Sequence, residues 1–82
     1  MATIDYPTGR DYDRPQVLQI TAPAMPEDLF ESIPVSFADP VRGISGTVQV
    51  MALVCMYAGR LNPSELGAAV LREYDAGRYT LA

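Results

Sequence analysis

The chain has 82 residues, of which 49% are hydrophobic and 20% are charged, and its ten acidic and six basic residues give a net charge of −4. This composition is typical of one small globular domain and not of a disordered chain. His, Trp and Lys are absent and there is one Cys. Without His and Lys there is no imidazole base and no lysine Schiff base, and one Cys cannot form an internal disulfide or a multi-cysteine zinc site. We therefore expect no enzyme, no cofactor and no metal.

The first fifteen residues are predicted to form a polar N-terminal arm, followed by a single domain over residues 16–82. The arm contains Pro7, Gly9 and Pro15 and few apolar residues. Its tyrosine rings are unusual for a solvated tail, so they are expected to lie against the domain or against a partner. Five of its residues are candidate partner-binding residues: Tyr6, Arg10, Asp11, Tyr12 and Asp13.

Residues 16–22 alternate between apolar and polar side chains, which predicts a half-buried strand. Residues 26–32 are predicted to form a short helix, because Pro26 suits the first helical position and acidic residues are favoured at the positive end of the helix dipole. The acidic residues of this segment are the second group of candidate partner-binding residues: Glu27, Asp28 and Glu31.

Residues 33–38 show a second alternation and are predicted to pair with the first strand in antiparallel fashion. Pro34 cannot donate a hydrogen bond to a neighbouring strand, so this strand is expected to lie at an edge of its sheet or to be frayed. Residues 39–46 contain two glycines and are expected to form a loop.

Residues 47–58 are the most apolar segment and are predicted to form a buried helix. The length of the segment, its Met and Ala residues and Gly59 as a C-terminal stop favour this interpretation. The competing interpretation is a long central strand, because Val48 and Val50 favour β-structure.

Residues 63–76 carry the clearest local signals for a helix. Asn62 is a good N-cap, Pro63 suits the first helical position and Glu65 completes a capping box, while Gly77 is expected to end the helix.

The connection between the two predicted helices, residues 59–62, is short and predicts a helical hairpin. Gly67 lies inside the second helix, where glycine costs about 1 kcal/mol relative to alanine. The expected compensation is close approach of another backbone, either from the helix at 47–58 or from a second subunit.

The predicted fold is therefore a small α+β domain. It has two short antiparallel strands and a short helix, followed by the C-terminal helical hairpin. The alternative is a mainly α domain with an extended N-terminal arm.

Charge and hydropathy exclude two classes of partner. The net charge of −4 argues against nucleic-acid binding, which requires a basic surface. The longest apolar run, residues 50–58, spans nine residues, whereas a membrane-spanning helix needs about 20. The polar N-terminal segment lacks the pattern of a signal peptide, so a cytoplasmic protein that binds no nucleic acid and no membrane is expected.

A chain of this size cannot enclose all of its apolar side chains, and two strands alone do not form a stable sheet, so a partner is expected to cover the remainder. The sequence predicts a non-enzymatic protein-protein interaction module, a small acidic regulator or inhibitor that covers a surface on a larger protein. Such features are typical of inhibitors encoded by viruses or mobile elements. The alternatives are a structural or accessory subunit that forms a homo-oligomer, such as a homodimer, and a small ligand-binding protein that uses Asp39, Arg42 and Tyr57.

Overall fold

The computed structural model describes residues 2–11 and 13–82, without the side chain of Asp11. The elements are, in chain order, β1 (Ala2–Asp11), β2 (Pro15–Ala22), β3 (Ser32–Asp39), β4 (Ile44–Met51), a 3-10 turn (Ala52–Cys55), β5 (Met56–Tyr57), β6 (Arg60–Leu61), α1 (Pro63–Asp75) and β7 (Thr80–Leu81). Five strands form one antiparallel sheet in the order β1-β2-β3-β4-β7, and β5 and β6 form a separate hairpin.

The predicted α+β fold with a C-terminal helical hairpin is wrong, and so is the mainly α alternative. The described residues form mostly antiparallel sheet, and α1 is the single α-helix among them. The strands are also longer than predicted, and β4 and the short hairpin of β5 and β6 take the place of the first helix of the predicted pair.

Residues 47–58 adopt the strand of the competing interpretation as far as Met51 and then the 3-10 turn. Val48 and Val50 lie opposite Val35 and Ile33 of β3, and all four side chains are buried. The side chains between them point to the other face of the sheet. Burial against β3 and α1 therefore outweighs the helix propensity of the Met and Ala residues.

The helix predicted at residues 26–32 is absent, and a turn leads into β3. The backbone N–H of Phe30 donates to Oδ1 of Asp28 (3.0 Å), and the N–H of Glu31 donates to the carbonyl of Asp28 (3.1 Å). An aspartate side chain that bonds to nearby backbone competes with helix formation. Ser32 then begins β3, so no room is left for a second helical turn.

The helix predicted at residues 63–76 is confirmed as α1. Oδ1 of Asn62 accepts a hydrogen bond from the backbone N–H of Glu65 at 3.1 Å, and Gly77 adopts a φ of 73° just after the helix ends. The buried face of α1 packs on one face of the sheet. Its members are Leu66, Ala69, Val70 and Tyr74, and the sheet contributes Leu18, Ile20, Ile33, Val35, Phe37, Val48 and Val50.

The strands predicted at 16–22 and 33–38 are confirmed as the central parts of β2 and β3, but the expected edge position of the second is wrong. β3 lies between β2 and β4. The sheet tolerates Pro34 because β2 pairs only with residues 36–38 of β3, so β2 requires no N–H at position 34.

The N-terminal segment contains β1, whose residues 2–7 pair one by one with residues 17–22 of β2. Tyr6 is half-buried, and a β-carbon at Gly67 would overlap its ring. The glycine inside α1 is therefore explained by an aromatic ring from β1. The backbone of a second helix or a second subunit is not needed to account for it.

Candidate protein-interaction surface

The two groups of candidate partner-binding residues lie at opposite ends of the sheet. Pairing of Ala2 with Ala22 and of Asp11 with Pro15 places Arg10, Asp13 and Arg14 at the tip of the β1–β2 hairpin. Residues 27–31 follow the other end of β2. The structure therefore separates the two groups by the length of the strands, and they do not form one surface.

At the hairpin tip, Arg10 is engaged within the chain. Its Nη1 and Nη2 donate to Oδ1 and Oδ2 of Asp75 at 2.8 and 2.5 Å, so the guanidinium meets the carboxylate in bidentate fashion. These hydrogen bonds hold the pKa of Asp75 below its ordinary value. Asp13 is exposed beside the tip, while Tyr12 and the side chain of Asp11 lie outside the described residues.

A buried polar cluster at the same end was not predicted from the sequence. The carboxylate of Asp39 accepts hydrogen bonds from Nε2 of Gln16 (2.6 Å), from the hydroxyl of Tyr74 (2.8 Å) and from the backbone N–H of Arg42 (3.3 Å). Thr8 in turn donates to Oε1 of Gln16 at 2.9 Å. The cluster ties β1, β2, β3 and α1 together beneath the β3–β4 turn.

The cluster keeps Asp39 charged and Tyr74 neutral. Burial alone would raise the pKa of Asp39, but the hydrogen bonds that its carboxylate accepts outweigh burial and hold that pKa below its ordinary value. Burial and the hydrogen bond to Asp39 raise the pKa of Tyr74 to about 12. Among the described buried side chains no polar atom lacks a hydrogen-bond partner, which is the pattern of a cluster that stabilises the fold.

Of the three residues of the ligand-binding hypothesis, the structure brings Asp39 and Arg42 together and leaves Tyr57 apart. Asp39 is buried in the polar cluster, and the guanidinium of Arg42 lies over the ring of Tyr74 at 5.6 Å. Tyr57 lies in the β5–β6 hairpin, which follows the opposite end of β4.

An exposed group of large apolar side chains occupies the end of the molecule opposite the hairpin tip, and we call it the apolar patch. Its members, each between 40% and 74% exposed, are Phe30, Met51, Leu53, Val54 and Tyr57. Two backbone hydrogen bonds join two of its segments: Leu53 N–H to the carbonyl of Leu29 (2.8 Å) and Ala52 N–H to the carbonyl of Glu31 (2.9 Å), while Tyr57 follows the 3-10 turn in β5. The turn that carries Phe30 is thereby held against the 3-10 turn.

The second group of candidate residues adjoins this patch. Glu27, Asp28 and Glu31 are exposed and belong to the turn that carries Phe30. We call these three residues the acidic trio. The sequence identified the acidic trio, but the exposure of the apolar side chains beside it depends on the strand and turn that replace the two predicted helices.

The open face of the sheet, away from α1, carries small polar side chains. One hydroxyl residue from each of five strands follows the pairing register from edge to edge: Thr3, Thr21, Ser36, Thr47 and Thr80. Cross-strand pairs of Thr and Ser stabilise a solvated sheet face. Met51 alternates with the buried Val50 and so falls on this face at the end of β4. The other members of the apolar patch lie outside the five-stranded sheet, and Leu81 of β7 lies apart from them.

Comparisons with protein-family models, with curated proteins and with solved structures found no match to this chain. Within residues 2–11 and 13–82, no helix has the length and apolar character that a membrane crossing requires. The same part of the chain contains no group of three or more His, Cys, Asp or Glu residues placed to hold a metal ion.

Proposed function

We propose that this chain is a non-enzymatic protein-protein interaction module, a small acidic regulator or inhibitor that covers a surface on a larger protein in the cytoplasm. The observation that carries the proposal is the apolar patch beside the acidic trio. An exposed apolar group with a charged rim is typical of a protein interface.

The patch also defines the chemistry of the partner. Fully burying one large apolar side chain is worth about 1.5–3 kcal/mol, so covering even part of five such side chains supplies a large share of a binding free energy. Aromatic residues such as Phe30 and Tyr57 are enriched among the residues that dominate interfaces. The acidic trio favours a partner whose own apolar surface is bordered by Lys or Arg residues.

The hairpin tip is the weaker of the two candidate surfaces. Arg10 already neutralises Asp75, and Tyr6 packs on Gly67 inside the fold. The tip retains the exposed carboxylate of Asp13 and the backbone of Asp11. We assign it a secondary place in partner binding.

Self-association through the same patch is opposed by charge. Two copies that meet patch to patch would bring one acidic trio against the other, and like charges across an interface are unfavourable. The homo-oligomeric alternative therefore predicts a dimer that strengthens with salt. Light scattering of the purified chain as salt is increased tests it, since a monomer at every salt concentration supports the regulator and an oligomer that forms or strengthens as salt is raised supports the structural subunit.

The partner itself is sought by affinity capture from the native host followed by mass spectrometry. Three forms of the chain are compared: wild type, Phe30→Glu within the patch, and Leu81→Glu as a matched control at an exposed apolar position of β7 outside it. We expect wild type and Leu81→Glu to capture one larger protein in stoichiometric amount and Phe30→Glu to capture about tenfold less. Equal capture by all three forms, or no stoichiometric protein with wild type, contradicts the proposal.

A further inference from the structure

One edge of the sheet is only partly covered. Beyond β4 the sheet continues with β7, but β7 pairs with Gly46 and Thr47 alone. Residues 48–51 of β4 have no strand on that side among the described residues.

The orientation of the β4 backbone shows which groups are left unpaired. The carbonyl of Ser45 accepts a hydrogen bond from the N–H of Ala82 (3.0 Å), so the backbone groups of Ser45 point away from β3. These directions alternate along a strand, so the backbone groups of Gln49 and Met51 also point outward. Among the described residues, the N–H and carbonyl of Gln49 and the N–H of Met51 have no hydrogen-bond partner.

Two cavities lie along this edge, between β4 and α1. One, of about 200 Å³, is lined by Met51, Val54, Ala69 and Arg72 among others, and the second, of about 470 Å³, by residues 77–80 and Thr47. Both are also lined by Gln49 and Glu73, so they meet beside the unpaired backbone groups. We call the joined cavities the β4–α1 groove.

The two edges of the sheet differ in how they are protected against pairing. The outer strand β1 carries Asp5 and Pro7, and its register with β2 is irregular between Pro7 and Asp11. A charge, a proline and a bulge each discourage addition of another strand. Residues 48–51 of β4 contain no charge and no proline, and their register with β3 is continuous. The β4 edge is therefore the one suited to pairing.

The charges of the groove indicate an acidic group in its occupant. Glu73 is engaged by Arg78, whose Nε donates to Oε2 at 2.6 Å. The guanidinium of Arg72 is exposed and forms no hydrogen bond or ion pair within the described part of the chain, although its charge helps to lower the pKa of the neighbouring Glu73. An unpaired guanidinium beside Met51 and Val54 favours a carboxylate on a segment that is otherwise apolar or neutral.

We propose that the β4–α1 groove receives an extended segment of the partner protein, which pairs with the backbone of Gln49 and Met51 as an added strand and places a carboxylate against Arg72. Four residues at about 3.3 Å each span the uncovered edge. Strand addition gives affinity through the backbone and specificity through side-chain pockets. The inference rests on the proposed function, because Met51 and Val54 belong to both the groove and the apolar patch.

The test is a nuclear magnetic resonance titration of the ¹⁵N-labelled chain with the blocked peptide Thr-Val-Thr-Val-Asp. We expect saturable shifts of the Gln49 and Met51 amides. The same peptide with N-methylated valines, which cannot donate hydrogen bonds, and a peptide with Lys in place of Asp are each expected to bind about tenfold more weakly. Absence of saturable shifts at these two amides, or equal binding of all three peptides, overturns the inference.

Two variants at one position separate backbone from side-chain effects. Gln49→Pro removes the outward N–H, and Gln49→Ala keeps it, so Gln49→Pro is expected to bind the peptide about tenfold more weakly and Gln49→Ala to bind it as wild type does. Equal weakening by both variants overturns backbone pairing. The N-methylated peptide and the peptide with Lys in place of Asp are tested on the unchanged protein. They therefore test backbone pairing even if Gln49→Pro disturbs the fold.

Failure of this inference is distinguishable from failure of the proposed function, since Phe30 lies outside the groove. If Phe30→Glu loses the captured protein while Gln49→Pro retains it, the interaction module stands and strand addition is wrong. If both variants lose it and Gln49→Ala retains it, both proposals are supported.

Discussion

Replacing Gly67 by alanine tests the contact that joins β1 to α1. In an open helical position this substitution stabilises by about 1 kcal/mol. At Gly67, however, the added β-carbon would overlap Cγ, Cδ1 and Cε1 of Tyr6, and overpacking costs about 1–3 kcal/mol. We expect a net fall of about 1 kcal/mol in the free energy of unfolding, which in a domain of this size lowers Tm by about 4–8 °C.

The sign of the effect is expected to reverse when the ring is removed. In a Tyr6→Ala background, Gly67→Ala has no ring to displace and is expected to raise the free energy of unfolding by about 1 kcal/mol. The double-mutant cycle then gives a coupling of about 2 kcal/mol between the two positions.

Urea denaturation followed by far-ultraviolet circular dichroism measures all four proteins of the cycle. Ala68→Gly, at the neighbouring position of α1, is the reference for helix propensity and is expected to lose about 1 kcal/mol in both backgrounds. Stabilisation by Gly67→Ala in the wild-type background would refute the explanation of this glycine by the Tyr6 ring.

The remaining predictions concern the polar cluster and β7. Asp39→Ala leaves the amide of Gln16 and the hydroxyl of Tyr74 buried without their acceptor. Chemical denaturation is therefore expected to show a fall of about 3 kcal/mol in the free energy of unfolding. A fall below about 1 kcal/mol would mean that the cluster does not stabilise the fold. The pKa of Tyr74 is raised to about 12 from 10.0, so the neutral Tyr74 hydroxyl contributes about 2–3 kcal/mol to the free energy of unfolding. That contribution is fully present below pH 10 and is lost as the pH rises from 10 to 12. The free energy of unfolding, measured from pH 10 to 12, is expected to fall in wild type and not in Tyr74→Phe. An equal fall in both proteins would mean that a group other than Tyr74 causes it. Gly46→Ala puts a β-carbon onto the backbone carbonyl of Thr80, so β7 is expected to separate from β4, and hydrogen exchange that leaves the Ala82 amide protected would contradict this packing.

The sequence predicted one part of the candidate interaction surface, the acidic trio, and did not predict the other part, the apolar patch. The acidic trio was identified because charged residues near a helix start or a turn are exposed in either conformation. The apolar patch was not, because a side chain such as Leu53 or Val54 is buried in the helix that the composition of residues 47–58 favours and exposed in the 3-10 turn that follows β4. The polar cluster was missed for a related reason, since Gln16 and Asp39 are 23 positions apart and meet only across the sheet.

The sequence by itself determined the elements whose signals are local. The alternation in β2 and β3 and the Asn62 cap with Gly77 after α1 involve neighbouring residues, and each produced the predicted element. The tertiary structure decided the rest. β4 is a strand because Val48 and Val50 are buried between β3 and α1, and β1 is a strand because β2 offers it an edge and Gly67 receives the Tyr6 ring. Burial against distant partners outweighs local propensity in these segments, and no window of neighbouring residues contains those partners.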